Sequence, residues 1–473
     1  MDAPLKKNQK WLGLLAIIPA IAMVFTDQAV LPVALPTIQT QLNASKLELW
    51  WCINSYLLVS AVLLLAGGKL GDRIGYRRTF SLGMAIFALS SAVCGVSFSP
   101  FWLIGSRALQ GIGAALMIPA SSPLIMSLFP QNERGKANGI NVSIGSIFLI
   151  LAPIIGGYFT EMLSWRWIFW VNIPIACIGL IFIFLFIPKS TTKIQKFDPL
   201  GFSFFLISCS ALVIMIMQSP EWGWLSLNTA LLFLLFALFT FFLFWREAHS
   251  KHPLIDLSLF RHPIYKAVNI TVFSIQFIIM ITVYRAVFFQ DALGWSPLKS
   301  GSVFFFTSLP VLFMSPIAGW VADRFGSKIP IAVGFTLLIY SFFWVAFFVQ
   351  GSLFVLVIGF FAFGLGVPLI FTPSYSSAMG SIPPTKAGNA FGILATVRSL
   401  GACLGIAIIS SFAAHMQSTY GKTLSLKEAQ IEAFFLVHIC MGFILMLAFA
   451  LVFMLYHRHG PHRPPSSPAE GWD

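Results

Sequence analysis

Apolar residues run along this chain in stretches of about twenty, the length that crosses a ~30 Å hydrocarbon layer as a helix. Seven such windows predict helices at 12–35, 50–67, 79–97, 101–121, 138–159, 167–188 and 200–217. Seven more follow at 227–245, 264–289, 301–321, 330–349, 353–373, 389–412 and 433–456. A membrane β-barrel does not fit, because its strands are ~10 residues of alternating polarity. The first run follows the basic start MDAPLKKNQK. It is too long for the apolar part of a signal peptide and no small-residue cleavage site closes it, so it reads as the first span.

Composition agrees with a polytopic all-α membrane protein: of 473 residues only 10% are charged and 58% are hydrophobic, 49 of them Phe. A soluble protein of this size needs far more charge to cover its surface. Of the 29 Lys and Arg, 21 fall in segments on the side of the N-terminus, five in the opposite loops, and three (Arg107, Arg285, Arg398) inside spans. Basic residues collect in cytoplasmic loops, so both termini are placed in the cytoplasm. The net charge of +13 is therefore a topology signal; no nucleic-acid partner is expected from bases spread over short joints. The six cysteines stand singly, with no C-x-x-C pair, and read as small packing residues, so neither a metal site nor a cofactor is expected. The His-rich end after 457 reads as a disordered cytoplasmic tail.

The charge in one joint is unusual. GKLGDRIGYRR (68–78) has a relative in GWVADRFGSK (319–328), with Gly68/Gly319, Asp72/Asp323, Arg73/Arg324, Gly75/Gly326 and Arg77/Lys328 at one offset of 251. Each joint links the second and third spans of its half once the pair at 200–245 is set aside. Two halves entering the membrane in the same sense make a parallel repeat, an arrangement typical of transporters. Glycines permit a tight turn, an aspartate suits a helix N-terminus, and arginines can grip carbonyl ends or acids. One copy could be a basic loop and nothing more; two in register favour a conformational latch.

These joints, with other segments, resemble the major facilitator superfamily and, within it, the fourteen-span drug:proton antiporters. The first joint is similar to the signature G-x-L-x-D-R-x-G-R-K, with Tyr76 at the place of the first base. LIGSRALQGIGAA (103–115) matches the fourth-span signature L-x-x-x-R-x-x-Q-G-x-G-A-A. TDQAVLPVALPTI resembles the first-span pattern, keeping Asp27; WRWIFWVNIP (165–174) and FFQDALGWSPLKSG (288–301) resemble two further segments. The fifth-span antiporter signature G-x-x-x-G-P-x-x-G-G reads FLILAPIIGG, keeping Pro153, Gly156 and Gly157 but placing Phe148 and Ala152 where the family has glycine.

The resemblance implies two six-helix bundles (12–190 and 256–457), a 191–255 linker carrying two inserted helices, a cytoplasmic N-terminus at 1–11 and a tail at 458–473. It also implies a monomer in the bacterial plasma membrane that moves a small molecule and protons by alternating access. Asp27 and Arg107 take the proton-coupling role, and Pro153, Gly156 and Gly157 bend the fifth span for close packing. Phe148 and Ala152 keep uptake or facilitated transport of a metabolite or organic anion open as the alternative to drug export.

Charged groups at mid-span each cost about 2.5–3.5 kcal/mol on insertion scales. Asp27, Arg107, Arg285 and Arg398 therefore point to a wet cavity or to one another. Burial favours the neutral acid and a nearby arginine the carboxylate, so Asp27 can exchange a proton as access changes; a plain hydrogen bond between helices is its other reading. Arg107 has the alternative of satisfying carbonyls. Arg398, Arg285 and Gln110 are the candidates for lining the cavity, with helix packing as the other reading for Arg285. Three cations against one acid suit lipophilic monocations, neutral compounds or organic anions better than dications. His438, inside the last span, reads as a hydrogen-bonded packing residue. An intramembrane enzyme or receptor is the remote alternative, since no Ser/His, His/Asp or metal constellation stands out.

Overall fold

All fourteen apolar runs fold as helices in the computed structural model, which describes residues 7–130, 133–188, 198–250, 253–383 and 386–457. The helices are α1 (Lys10–Leu42), α2 (Lys46–Ile74), α3 (Tyr76–Gly95), α4 (Pro100–Leu128), α5 (Ser143–Leu163), α6 (Trp167–Phe186) and α7 (Pro199–Trp222). They continue with α8 (Leu227–His249), α9 (Pro263–Asp291), α10 (Pro297–Phe325), α11 (Lys328–Phe347), α12 (Leu353–Gly380), α13 (Asn389–Tyr420) and α14 (Leu426–Leu455). No strand occurs among the described residues. The tail after 457, and Lys189, Lys193, Lys196 and Lys251 of the basic loops, lie outside them.

Helix starts follow local chemistry. Ser45 and Glu48 form a reciprocal capping box at the head of α2, with Glu48 N donating to Ser45 Oγ (3.2 Å) and Ser45 N to Glu48 Oε2 (2.7 Å). Ser99 caps α4 ahead of Pro100, and Asp198 caps α7 ahead of Pro199. Burial raises the affinity of the Asp198 carboxyl for its proton. The Arg246 hydrogen bond and the Gly201 N–H outweigh that and hold it below the usual carboxylate range. Long helices here carry internal prolines (Pro19, Pro32 and Pro36 in α1), which neighbouring helices make tolerable in a membrane.

The chain divides into two units. The first comprises Met1–Leu254, Ile279–Phe305 and Ala402–Ala433; the second comprises Ile255–Ile278, Phe306–Gly401 and Phe434–Asp473. Apart from the one after Leu254, the boundaries fall inside α9, α10, α13 and α14. Within the first unit α4 packs against α2 and α3, and α1 against α5 and α6. Within the second, α11 packs on α12, and Tyr265, Val268, Val272, Ala378, Ala390 and Leu394 form a core tied by Tyr265 Oη donating to the Ala390 carbonyl (2.8 Å).

Packing extends the repeat well beyond the joint. In the first unit a Cβ built on Gly83 would stand 2.8 Å from the Gly113 carbonyl and 2.8 Å from Leu116 Cβ. In the second, one built on Gly334 would stand 2.8 Å from the Gly366 carbonyl and 3.1 Å from Leu369 Cβ. Gly111 approaches the Tyr56 carbonyl as Gly364 approaches that of Thr307. The offset is 251 up to α11 and 253 in α12, so α12 stands two residues further along than α4 does. The joint glycines Gly75 (φ +94°) and Gly326 (φ +80°) both occupy the left-handed region that a side chain resists.

Candidate functional site

The first unit encloses a polar cluster built from five helices. Asp27 comes from α1, the Cys52 carbonyl and Tyr56 from α2, Ser91 from α3, Arg107 and Gln110 from α4, and Asn172 from α6. Arg107 and Gln110 are three apart, hence on one face of α4. Arg107 Nη1 donates to both Asp27 oxygens (2.8 and 2.6 Å) and to Gln110 Oε1 (2.6 Å), while its Nε donates to the Cys52 carbonyl (3.1 Å). Gln110 Nε2 donates to Asp27 Oδ1 (3.0 Å) and to Ser91 Oγ (3.4 Å). Ser91 Oγ also accepts from Asn172 Nδ2 (3.0 Å) and donates to the Phe169 carbonyl (2.8 Å).

All of these side chains are sealed from the surface: Asp27 is 3% exposed and Arg107 1%. The guanidinium lies 4.4 Å from the centre of the Tyr56 ring, a cation–π contact in low dielectric. An ion pair in such a place survives because its remaining hydrogen-bonding capacity is met by Gln110 and the Cys52 carbonyl.

Of the four mid-span charges, the structure thus brings Asp27 and Arg107 together, with Gln110. Arg285 is fully buried on α9 in the first unit; Arg398 is half-buried on α13 in the second. Sequence reasoning passed over Ser91, Asn172 and Tyr56. Asn172 lies inside WRWIFWVNIP, and a polar residue in that aromatic run was the available signal; Ser91 and Tyr56 carry none in sequence.

At the first joint Tyr76 Oη donates to Asp72, so the residue that departs from the resembled signature supplies the aspartate with a partner. Arg77 Nη2 donates to the Phe184 carbonyl (2.9 Å), near the end of α6, and lies over the Phe184 ring. Arg73, Asp323 and Arg324 are exposed, and Arg324 stacks at 5.6 Å over Trp320 and over Phe325. Gly68 and Gly319 take matching places, 3.7 Å from Pro119 and 3.6 Å from Thr372 when a Cβ is added.

The α5 glycines mark two close approaches in the first unit. A Cβ on Gly156 would meet Val30 of α1 (2.9 Å), and one on Gly157 the Leu298 Cα at the start of α10 (2.7 Å). Gly301 reciprocates against the Pro153 carbonyl (2.1 Å). Glu161, just beyond, accepts from Leu298 N (2.9 Å) and so caps α10. Phe148 is half-buried and Ala152 fully buried. His438 is buried in the second unit, with Nδ1 2.8 Å from the Phe434 carbonyl and its ring stacked on Phe434.

Fourteen membrane-length helices and a sealed acid–base pair inside one helix cluster define a multi-pass integral membrane protein of the transporter type. The chain belongs to the Major Facilitator Superfamily, whose sequence profile matches residues 17–206 and 199–406. It is 31% identical over 403 residues to the multidrug resistance protein Stp of Mycobacterium tuberculosis, covering 85% of this chain and 75% of that one. It is 32% identical over 434 residues to the riboflavin transporter RibZ of Clostridioides difficile, covering 90% and 93%. The methyl viologen resistance protein SmvA of Salmonella typhimurium is 32% identical over 408 residues, covering 85% and 82%. In fold it is similar to a bacterial homologue of the lysosomal transporter Spinster in an inward-facing, unoccupied conformation. There the TM-score is 0.68 at 16% identity, over 96% of this chain and 98% of that one.

Proposed function

We propose that this protein exports lipophilic small organic compounds across the bacterial plasma membrane, driven by proton entry. The observation that carries the reading is the sealed Asp27–Arg107–Gln110 cluster. A proton arriving at Asp27 removes the carboxylate that holds Arg107, which then keeps the Cys52 carbonyl and Gln110 and must find a new partner. Loss of the proton restores the pair. One carboxylate thus alternates between holding a proton and holding α1 against α4. Resistance relatives such as Stp and SmvA support the direction of transport and the substrate class.

Around that centre we place two six-helix halves (12–190 and 256–457), an inserted pair within 191–255, and both termini in the cytoplasm, supported by the Lys and Arg bias. Gly68, Asp72, Arg73, Gly75 and Arg77 with Asp323, Arg324 and Gly326 serve as paired latches. Pro153, Gly156 and Gly157 hold α5 against α1 and α10. Gln110, Arg285 and Arg398 face the substrate path. The protein acts as a monomer and as a transporter, not an enzyme.

In proteoliposomes of the full chain, an imposed pH gradient is expected to drive uptake of a fluorescent lipophilic cation, and Asp27→Asn to abolish the gradient dependence while leaving the protein monodisperse. Gradient-driven movement in that variant removes Asp27 from the coupling role. The likeness to the riboflavin transporter RibZ over 93% of its length favours a second reading, uptake or facilitated transport of a small metabolite. Flux direction in everted vesicles separates the two.

A further inference from the structure

Apart from the polar cluster, the first unit holds a chamber at the face where α1, α7, α9 and α13 end and α2 and α14 begin. It has a volume of ≈ 160 Å³. A cavity of about that size accepts a single benzene ring. Its walls are aromatic on one side. Trp50 and Tyr284 lie 6.5 Å apart between ring centres, and Tyr284 and Phe288 another 6.5 Å, so three rings make one continuous surface. Another part of the wall comes from the first inserted helix, α7, through Met217, Pro220 and Glu221.

Two carboxylates and one ammonium border the chamber. Lys46 Nζ lies 3.4 Å from Asp291 Oδ2, which spends one of the carboxylates. Glu221 is left as the surplus negative charge, exposed at the end of α7. Arg285, next to Tyr284 in sequence, is not among the lining residues. Aromatic rings and a surplus carboxylate lining a one-ring space match an aryl group bearing a fixed positive charge, through cation–π attraction and direct charge pairing.

Helix α7 is fastened where it builds this wall. Ser411 Oγ of α13 donates to the Ile216 carbonyl (2.7 Å), and Asn54 Nδ2 of α2 lies 2.8 Å from Met217 Sδ. Asn54 stands one turn from Trp50 on the same face of α2, is fully buried, and its Oδ1 has no hydrogen-bond partner among the described residues. Its neighbour α8 packs along α7 and is otherwise largely exposed on its apolar surface, as a lipid-facing helix is.

We infer that α7 completes a binding site for single-ring organic monocations between Trp50, Tyr284, Phe288 and Glu221, separate from the Asp27–Arg107 pair. This gives one of the two inserted helices a ligand role. The test uses benzyltrimethylammonium on the full-length protein in nanodiscs, by equilibrium dialysis with no gradient, so that failure of proton coupling does not affect it. Saturable binding is expected, weakened at least tenfold by Glu221→Gln and by Trp50→Leu and retained by Glu221→Asp. The aryl-azide derivative should label the 213–222 and 281–291 segments. Because Glu221 is exposed, its substitution leaves packing intact even where Trp50→Leu does not. No saturable binding by the wild type, unchanged affinity in Glu221→Gln, or labelling confined to other segments overturns the site.

Discussion

The α3–α4 pair and the α11–α12 pair cross in the same way and are filled in opposite ways. Gly83 against Gly113, and Gly334 against Gly366, bring each pair of backbones together at equal spacing. Further along the same helices, the first pair holds Ser91, Arg107 and Gln110. The repeat puts Phe342, Phe360 and Phe363 at those places in the second, with Phe342 and Phe363 6.2 Å apart between ring centres. Even Cys94 against Ser106 (3.2 Å) has its apolar counterpart in Val345 against Gly359. Helix crossing is thus fixed by positions that carry no side chain, and chemistry is added beside them. Only the first copy received an acid and a base; the second became a phenyl-filled support.

The largest effect should come from breaking the polar filling. Arg107→Leu strands a buried carboxylate, and an unpaired buried charge costs about 3–5 kcal/mol. Thermal unfolding in nanodiscs should drop accordingly, and Asp27→Leu/Arg107→Leu should regain most of the loss while gradient-driven transport stays absent. A double variant as unstable as the single one would mean that the pair does not act as a unit.

Next in size are the shared crossings. Gly113→Val and Gly366→Val each force side-chain atoms into a facing backbone, and overpacking of this kind costs about 1–3 kcal/mol. The two losses should match. A large inequality would show that the two crossings bear load differently.

A smaller effect is expected at the joint. Tyr76→Phe removes the hydrogen bond to Asp72, whose net worth is about 0.5–1.5 kcal/mol. If the joint acts as a latch, the variant should also change the rate of transport more than the affinity for substrate.

The smallest effect tests whether the phenyl-filled unit relies on ion pairs. Its Asp256 lies 2.9 Å from Lys386. Burial pushes the Asp256 carboxyl up, while hydrogen bonds from Ser258 and Lys386 outweigh that and hold it below the usual range. A depressed folded value means the contribution is present at neutral pH. It fades as pH nears the unfolded value of about 3.9 and is lost as pH falls through the lower folded one. Asp256→Asn should therefore lower the unfolding temperature slightly at pH 7, with the difference shrinking as the pH falls below about 3.9.

Much of the fold was legible because bilayer and backbone leave few options. Each span had to be apolar over its own length, so all fourteen helices could be read window by window, α9 included although its helical hydrogen bonding is interrupted at Met280. The site was legible in part. Asp27 and Arg107 stood out as charges where charge is costly, yet nothing local said that they meet. Ser91 and Asn172 looked like any small polar residue in a span, since their importance lies in what they touch. Arg285 and Arg398 also stood out as mid-span charges, and only the folded helices show that it is Arg107 that stands against Asp27. The constant offset of 251 was visible at the joint; the two-residue shift in α12 hid the remaining counterparts until backbone contacts exposed them.

The sequence by itself determined the number of membrane helices, their approximate positions and the presence of an internal repeat, because hydrocarbon tests each segment separately and rewards internal hydrogen bonding in every one. Tertiary structure alone decided that residues eighty positions apart share one buried ion pair, and that α7 lines a chamber while α8 faces outward. Pairing and enclosure depend on distances between helices, which no stretch of chain encodes within itself.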